Sequence, residues 1–593
     1  MPNAWLRRCV LVAAMLLLLP AIGHAADLQQ TKLPIGTPNT IVCVRIASIN
    51  AFIKSVTEMA TAIEENAGMM VGPSVQMMLQ QIPGIDPDGP VAILFLDPNK
   101  YDQPAIGVVT LKDAKAFKEG VRMAPVRVVG PLGLISSAEG ALAEAEKALR
   151  IARLKVVPTN DMTDLIVVTA HVGDLLKRCK KDIAGQLQLA KLKLGAMEPD
   201  ADNTKKMAAK ALNYAGKLIT AMEDEVGLIE YGVKFDRKEI AARVAVDAAP
   251  GGLFDGFLRK NQAHVSRTLA RYLPKEAVAS AISQTDPASR AQLAVALVTI
   301  LADITGMDQP ETQSICRAVD GLSRNLTGLE AMAVLEVKGS AAGVELYGIK
   351  DPAAARAHTK AVLGLARGDS VGKLLRRLGV TVLLTEKHRV QAGIPVDKID
   401  MTVDLDKLMA ALPLPLEPDE KGKMLDAIKK MYGKQSTRTV ETVYGARLMA
   451  VVDSSEGPEL MNKQIELIRT DGRDGLASSA EYRAALVGHP EESCTLVHLS
   501  LFGYSDLMHK QTAKQMAKLP DAPQVEMYPT RAELPAAETF VGASIRIEGS
   551  RVTGRAVVPV RSIAALVKAA QKKQAEMRQK MMEQPVEPEM DAE

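Results

Sequence analysis

Alternation of apolar and polar residues at every second position is the feature that most constrains how this chain can fold. The pattern covers three segments, 228–246, 332–349 and 541–560, and in each it continues on both sides of a polar turn. The three turns are Asp236–Lys238, Lys338–Ser340 and Glu548–Arg551. A period of two places every second side chain on one face of a strand. Each segment is therefore predicted to be a β-hairpin with one buried face.

A second recurring pattern is an alternating strand that leads directly into a helix. The strands Ile41–Ile46, Leu165–Ala170 and Cys494–Ser500 are each followed by short polar residues and then by a helical pattern. The expected helix caps are Ser48 with Asn50, Asp174, and Ser505 with Asp506, because short polar side chains accept hydrogen bonds from the first free N–H groups of a helix. Together the patterns predict an α+β fold of repeated antiparallel sheets flanked by helices, in several domains.

The first 25 residues have the layout of an export signal. Arg7 and Arg8 precede an apolar stretch, Val10–Leu19, and small residues at Gly23 and Ala25 suit a cleavage site. The stretch is shorter than the ~20 residues that a membrane-spanning helix needs. We therefore expect a cleaved signal peptide and a mature protein that works outside the cytoplasm, in the periplasm or outside the cell.

The length of 593 residues predicts several domains, since one domain usually takes ~100 to 200 residues. The changes of pattern along the chain suggest where they lie. The predicted segments are 1–25 as the signal peptide, 26–262 as the first α+β unit, 263–473 as the second, 474–583 as the C-terminal unit and 584–593 as a disordered tail.

Composition argues against several classes of partner. Removing the signal, which has two arginines and no acidic residue, leaves 71 basic and 70 acidic residues, a net charge of +1. Nucleic-acid binding needs clustered Lys and Arg, so no nucleic acid is expected. No Gly-x-Gly-x-x-Gly or phosphate-loop sequence is present. We therefore predict no nucleotide and no cofactor.

Three apolar segments are interpreted mainly as parts of the protein core, and one of them also as a possible ligand groove. The run Leu293–Leu301 is too short to cross a membrane and is interpreted as a buried helix, so no transmembrane segment is expected in the mature chain. A stripe from Met207 to Met222 is predicted to pack against a sheet. Four methionines could line a groove for a lipid or peptide, although core filling is favoured. They are Met69, Met70, Met77 and Met78.

Four cysteines remain after removal of the signal. They are Cys43, Cys179, Cys316 and Cys494. In an oxidising compartment they could form two disulfides, with three possible pairings. Their wide spacing differs from that of a dense disulfide framework, and buried free thiols are an equally good interpretation. The sequence leaves the choice open.

A group of potential metal ligands lies near the C-terminal strand. His489, Cys494, His498 and His509 fall within 21 positions, beside Glu491 and Glu492. A zinc ion could use three of them, but the spacing matches no established ligand pattern. A buried thiol and half-buried strand histidines are the favoured interpretation. We predict no metal site here.

One short motif resembles a catalytic element. Gly368–Gly372 has the Gly-x-Ser-x-Gly form of a nucleophile elbow, with Ser370 as the nucleophile and His388 downstream. Such an elbow joins a strand to a helix. The residues 353–366 before it have a helical pattern, so the context is wrong and no catalytic residue is predicted.

Three segments resemble parts of a family of secreted bacterial proteins of unknown function. The segment Gly475–Leu486 is similar to the family's "Leu-Ala-x-Ser-x-x-aromatic" motif. Thr37–Ile46 resembles the strand that opens the mature domains, and Leu134–Gly140 resembles a strand and helix that precede the motif. The resemblance implies export and repeated α+β construction, and it supplies no catalytic residues.

The sequence therefore predicts an exported, non-enzymatic protein of the cell envelope that acts by binding a protein or an envelope surface. The main alternative is a carrier that holds an apolar ligand, a lipid or peptide, between a sheet and Met-rich helices. A hydrolase or metal-dependent enzyme is the third hypothesis. The partner is not identified by any motif.

Cleavage of the signal can be tested directly. The protein exported by a secreting host is expected to begin at Ala26, and the intact mass measures this. The substitution Ala25→Tyr places a bulky residue beside the cleavage site and should leave the first 25 residues attached. Retention of residues 1–25 by the unaltered protein would contradict the prediction.

Overall fold

The computed structural model describes residues 40–64, 82–97, 100–101, 105–122, 124–152, 164–195, 202–262, 265, 267–366, 368, 371–411, 422–426, 429, 435–516 and 539–583. In these residues the structure is a mixture of helices and antiparallel sheet, as the sequence predicted. The signal segment 1–25 and the tail 584–593 lie outside the described residues.

The strands are β1 Thr40–Ile46, β2 Val91–Leu96, β3 Ala105–Thr110, β4 Val126–Val129, β5 Leu132–Ile135, β6 Ile166–His171, β7 Val226–Phe235, β8 Glu239–Ala248, β9 Ala279–Gln284, β10 Leu326–Val337, β11 Ser340–Ile349, β12 Val380–Gln391, β13 Ile394–Asp404, β14 Gln435–Tyr444, β15 Leu448–Asp453, β16 Thr495–Ser500, β17 Phe540–Glu548 and β18 Arg551–Pro559. The helices are α1 Ile49–Ile63, α2 Ala114–Gly120, α3 Glu139–Ala152, α4 Val172–Gly195, α5 Asp202–Glu225, α6 Leu253–Lys260, α7 Pro287–Thr305, α8 Gln309–Asn325, α9 Pro352–Leu365, α10 Val371–Arg377, α11 Leu405–Ala411, α12 Glu459–Arg469, α13 Ala480–Ala485, α14 Leu501–Met516 and α15 Val560–Glu583.

All described strands join one antiparallel sheet of 18 strands. Pairwise registers give the order β4-β5-β3-β2-β1-β6-β7-β8-β18-β17-β16-β9-β10-β11-β15-β14-β13-β12. At ~4.8 Å between strands the sheet is about 80 Å wide. The sequence predicted several sheets, whereas the described strands form one. An unpaired strand edge leaves N–H and C=O groups without partners, and pairing between edges satisfies them.

The C-terminal strands lie in the middle of this sheet. β18 pairs with β8, and β16 pairs with β9. Among the described strands, β16–β18 are therefore the connection between β1–β8 and β9–β15. The predicted unit boundaries at 262 and 473 fall between these three groups of strands. Independent folding of the three groups stays a prediction.

The same order of pairing occurs five times among the described strands. A strand is followed by a helical segment and then by a hairpin, and it pairs with the first strand of that hairpin. The five sets are β1 with β2–β3, β6 with β7–β8, β9 with β10–β11, β13 with β14–β15, and β16 with β17–β18. Adjacent strands run in opposite directions, and an even number of positions separates β6 from β9. The helices that follow β6 and β9 therefore leave the same end of the sheet.

The two largest apolar cores of the described residues pack against the sheet. The larger core includes Leu273, Ile282, Leu346 and Ile465, and it lies between α12 and the strands β9–β11 and β13–β16. Helix α12 contributes its apolar stripe to this core. The smaller core lies between α3 and the strands β1–β5. Removing these apolar side chains from water is the main source of stability for such a fold.

The starts of the helices were only partly predicted. The Ser48 hydroxyl accepts a hydrogen bond from the backbone N–H of Ala51 at 3.0 Å and caps α1, as predicted. Asn50 lies inside the helix, which begins at Ile49. Helix α14 begins at Leu501, so Ser505 and Asp506 lie inside the helix and not at its start. Helix α4 begins at Val172, before Asp174. In both cases the strand continues into the helix without an intervening loop.

Gly475 permits a close approach of two backbone segments. It forms an isolated bridge with Pro274, and a Cβ atom at Gly475 would lie 1.6 Å from the carbonyl oxygen of Arg271. A side chain here would force the two segments apart. By contrast, a Cβ atom at Gly185, in the interior of α4, would meet nothing within 4 Å.

These two glycines give a matched test. Gly475→Ala is expected to lower the free energy of unfolding by at least about 2 kcal/mol, because backbone must move to admit the methyl group. Gly185→Ala should raise it by about 1 kcal/mol, because alanine favours a helix over glycine. Chemical denaturation of both variants measures the difference. An unchanged free energy for Gly475→Ala would contradict the close approach.

Candidate functional site

Helices α7 and α8 form an antiparallel pair that follows β9. The Asp286 carboxylate caps α7 by accepting a hydrogen bond from the backbone N–H of Ser289 at 2.7 Å, and α7 ends at Gly306, which has a φ of 72°. Between Ala291 and Ala302 there is no charged residue. Helix α7 packs mainly against α8 and α5. Most of its surroundings are therefore other helices and not the sheet.

The outer side of α7 carries a row of exposed leucines, here called the leucine face. Leu293, Leu297 and Leu301 are 54%, 52% and 59% exposed. A spacing of four places them on one side of the helix, and Ala291 and Ala302 are buried. The interpretation of this run as a buried helix was wrong. The inward positions are small alanines, and the leucines are left at the surface.

Helix α7 also has the length and composition of a membrane span. It has 19 residues, and 17% of its most apolar window is buried. Among the described residues it is the one helix that is long and apolar enough to cross a membrane on these two criteria. The nine-residue run in the sequence did not show this, because the helix continues beyond it on both sides.

A second helical pair, α4 and α5, lies beside α7. The Lys210 ammonium is 3.1 Å from a carboxylate oxygen of Asp303. This hydrogen bond and a second one from Tyr214 lower the pKa of Asp303. The stripe from Met207 to Met222 was predicted to pack against a sheet, but α5 packs chiefly against α4 and α7. The pair also exposes Leu189 and Leu218.

An open groove of about 460 Å³ lies between α4 and α5. Ile183, Leu187 and Ile219 give it an apolar lining, and Lys180 and Lys217 also line it. The Lys180 ammonium is 3.1 Å from the carboxylate of Glu223, which lines the same groove. The groove could hold an apolar chain, with an ammonium group close to it.

A buried polar cluster lies on the sheet where β9, β16 and β17 meet. His498 lies opposite Ser280 on one side and Gly542 on the other. The ring of Tyr482 stands edge-on to the His498 ring with centroids 5.6 Å apart, and Glu481 Oε1 is 3.6 Å from His498 Nε2. Both His498 ring nitrogens lack a hydrogen-bond partner among the described residues. At 2% exposure this histidine has almost no contact with solvent.

His489 and Cys494 lie close to this cluster. His489 Nδ1 is 2.8 Å from the Ser544 hydroxyl, and burial, with the charges of Arg555 and Arg267, lowers the pKa of His489 to about 4. Burial raises the pKa of Cys494 to about 11. The described residues contain no group of three or more His, Cys, Asp or Glu side chains arranged to hold a metal ion. Because its pKa is well below 7, His489 is an uncharged internal group at neutral pH.

The structure describes only some of the other residues that the sequence suggested for a site. Ser370 lies outside the described residues, as do Met69, Met70, Met77 and Met78. Helix α9 precedes Gly368 and α10 follows it, so the motif joins two helices and not a strand to a helix. Among the cysteine side chains that are described, Cys43, Cys316 and Cys494 are free thiols. The side chain of Cys179 is outside the described part.

Comparison with known proteins adds no relative. No family model, no curated protein and no solved structure matches this chain. Function is therefore inferred from the sequence and from the geometry of the surfaces and clusters described above.

The buried histidine predicts a specific pH dependence of stability. His489 has a folded pKa of about 4 against ~6.5 when unfolded, so the unfolded chain binds the proton more readily. This contribution to stability is complete above pH 6.5, falls as the pH decreases toward 4, and changes little below that. At pH 5 the loss is about 2 kcal/mol.

Urea unfolding at pH 7 and pH 5 measures this loss. The variant His489→Gln keeps a polar side chain that cannot be protonated, so its free energy of unfolding should fall about 2 kcal/mol less between the two pH values. The exposed-site variant Val487→Gln should keep the full loss, since it leaves His489 in place. An identical pH dependence in His489→Gln would contradict the assignment.

Proposed function

We propose that this is an exported, non-enzymatic protein of repeated α+β units that acts in the cell envelope by binding through the leucine face of α7. The observation that carries the proposal is the exposure of Leu293, Leu297 and Leu301, each more than half accessible to solvent. The signal-like N-terminus supports an extracytoplasmic location.

The cost of exposed apolar surface supports a binding role. Leaving apolar surface in water costs about 25 cal/mol per Å², and rows of exposed large apolar residues commonly mark interaction sites. A helix that is apolar on all sides is stable when all sides are covered. Helices α8 and α5 cover part of α7, and the proposed partner covers the leucine face.

The state of the titratable groups supports a non-enzymatic role. His489 and His498 are 5% and 2% exposed, so a substrate in solution would not reach their ring nitrogens. The Cys494 thiol is also buried and has a raised pKa, which makes it a poor nucleophile. These three residues belong to the group of potential metal ligands that the sequence contains.

A carrier of an apolar ligand is the second candidate, favoured by the groove between α4 and α5. Its volume of about 460 Å³ falls within the ~300 to 1,000 Å³ range of small-molecule sites. Ile183, Leu187 and Ile219 would contact a hydrocarbon chain, and Lys217 would lie near an anionic head group. This candidate uses a different surface from the leucine face.

Photocrosslinking in an exporting host tests the leading proposal. A photoreactive residue in place of Leu297 is expected to capture an envelope component, because this side chain lies at the centre of the leucine face. Adding Leu293→Gln and Leu301→Gln should reduce capture at least fivefold. The matched control is the same photoreactive residue in place of Leu383, which is 55% exposed on β12.

Equal capture at Leu297 and Leu383, or no reduction by the two glutamines, would overturn the binding role of this face. A photoreactive residue in place of Leu187, inside the groove between α4 and α5, distinguishes the carrier from the leading proposal. Capture of a small apolar molecule there, with none at Leu297, would favour the carrier.

A further inference from the structure

We infer that the partner of the leucine face is an anionic lipid bilayer surface, on which α7 lies parallel to the membrane plane. This inference rests on the proposed binding function and names its partner. The inference is based on the position of the leucine face of α7 beside the basic helix pair α4–α5.

The first argument is the charge of the neighbouring helices. The sequence of α4 contains six basic and two acidic residues, and that of α5 contains four of each, so the pair has a net charge of +4 that comes from α4. The basic residues of α4 are Lys177, Arg178, Lys180, Lys181, Lys191 and Lys193. The mature chain as a whole is almost neutral, so this excess is local. Exposed leucines next to basic residues are the combination that binds anionic lipid head groups and the adjacent acyl chains.

The second argument is that apolar exposure continues onto the basic pair. Leu189 and Leu192 on α4 are 50% and 65% exposed, and Leu218 on α5 is 51% exposed. The contact between Lys210 and Asp303 holds α5 against α7. Leucines are therefore exposed on all three helices, a distribution better matched to an extended bilayer surface than to a pocket.

The third argument concerns the alternatives. Protein interfaces concentrate their binding energy in Trp, Tyr and Arg, whereas α7 and α4 contain no aromatic residue and α5 contains a single one, Tyr214. A bilayer requires neither aromatic anchors nor a large complementary patch.

The attachment of α7 at both ends favours lying on the bilayer over crossing it. Asp286 caps its first turn, and Asp303 near its end is held by Lys210. Ala291 and Ala302 are buried on the opposite side from the leucine face. Crossing would require these contacts to break, whereas insertion of the leucine face alone leaves them intact.

Vesicle flotation with the mature chain, residues 26–593, tests the inference. The protein is expected to float with vesicles of phosphatidylglycerol and phosphatidylcholine, and at least tenfold less with phosphatidylcholine alone. The triple variant Leu293→Gln, Leu297→Gln and Leu301→Gln should bind the anionic vesicles at least tenfold more weakly. Leu297→Gln alone should give a smaller loss. Circular dichroism and thermal unfolding check that the variants fold.

The matched control is Leu383→Gln, which removes an equally exposed leucine from β12 and should leave flotation unchanged. Lys181→Glu with Lys191→Glu should weaken binding to anionic vesicles and reduce its salt dependence. Failure of the unaltered protein to float, or equal flotation of the folded triple variant, would overturn the lipid partner.

Two further results separate this inference from the proposed function. A dimer in sedimentation that is lost in the triple variant would assign the face to a second copy and overturn the lipid inference. Specific capture of a protein at Leu297 without vesicle binding would remove the lipid partner and leave the binding function intact. If the protein neither binds vesicles nor captures a protein at Leu297, both the lipid partner and the proposed binding function are overturned.

Discussion

Antiparallel pairing of the C-terminal strands with β8 and β9 is the interaction on which the rest of this structure depends. The register joins Arg551 to Asp247 and Thr495 to Ser283, residues that are far apart in the chain. An ion pair reinforces the first contact, with 3.2 Å between Arg551 and Asp247. Because the connecting strands come last in the chain, the complete sheet cannot form before the C-terminal segment is available. Contacts of such long sequence separation are associated with slow folding.

The direction of each strand decides where the helices lie. Since β6 and β9 run the same way, the helical pairs that follow them leave the sheet at one end and meet through Lys210 and Asp303. This places the α4–α5 pair beside α7, with α5 in direct contact with it. The proposed binding surface is thus a product of sheet topology, assembled from helices that are about 100 residues apart in the sequence.

The chemistry of the interior is separate from this surface. His489 and His498 lie among the strands that join the C-terminal segment to the rest of the sheet, and burial keeps His489 uncharged at neutral pH. A buried polar group without a hydrogen-bond partner costs stability, and both His498 ring nitrogens lack one among the described residues. Protonation of His489 in acid would weaken this junction.

The sequence alone determined the local elements of this protein. The hairpins around Asp236–Lys238, Lys338–Ser340 and Glu548–Arg551 are present as predicted, because a period of two and a polar turn are properties of adjacent residues. The cap at Ser48 was predictable for the same reason.

Only the tertiary structure decided which strands pair and which apolar stripe stays exposed. A strand's pattern identifies its buried face but not its neighbour, so the position of β16–β18 between β8 and β9 was not foreseen. Leucines at 293, 297 and 301 have the same spacing on a buried helix and on an exposed one. Their exposure has two causes. The buried side of α7 carries small alanines, and α7 lies at the end of the sheet where β9 ends.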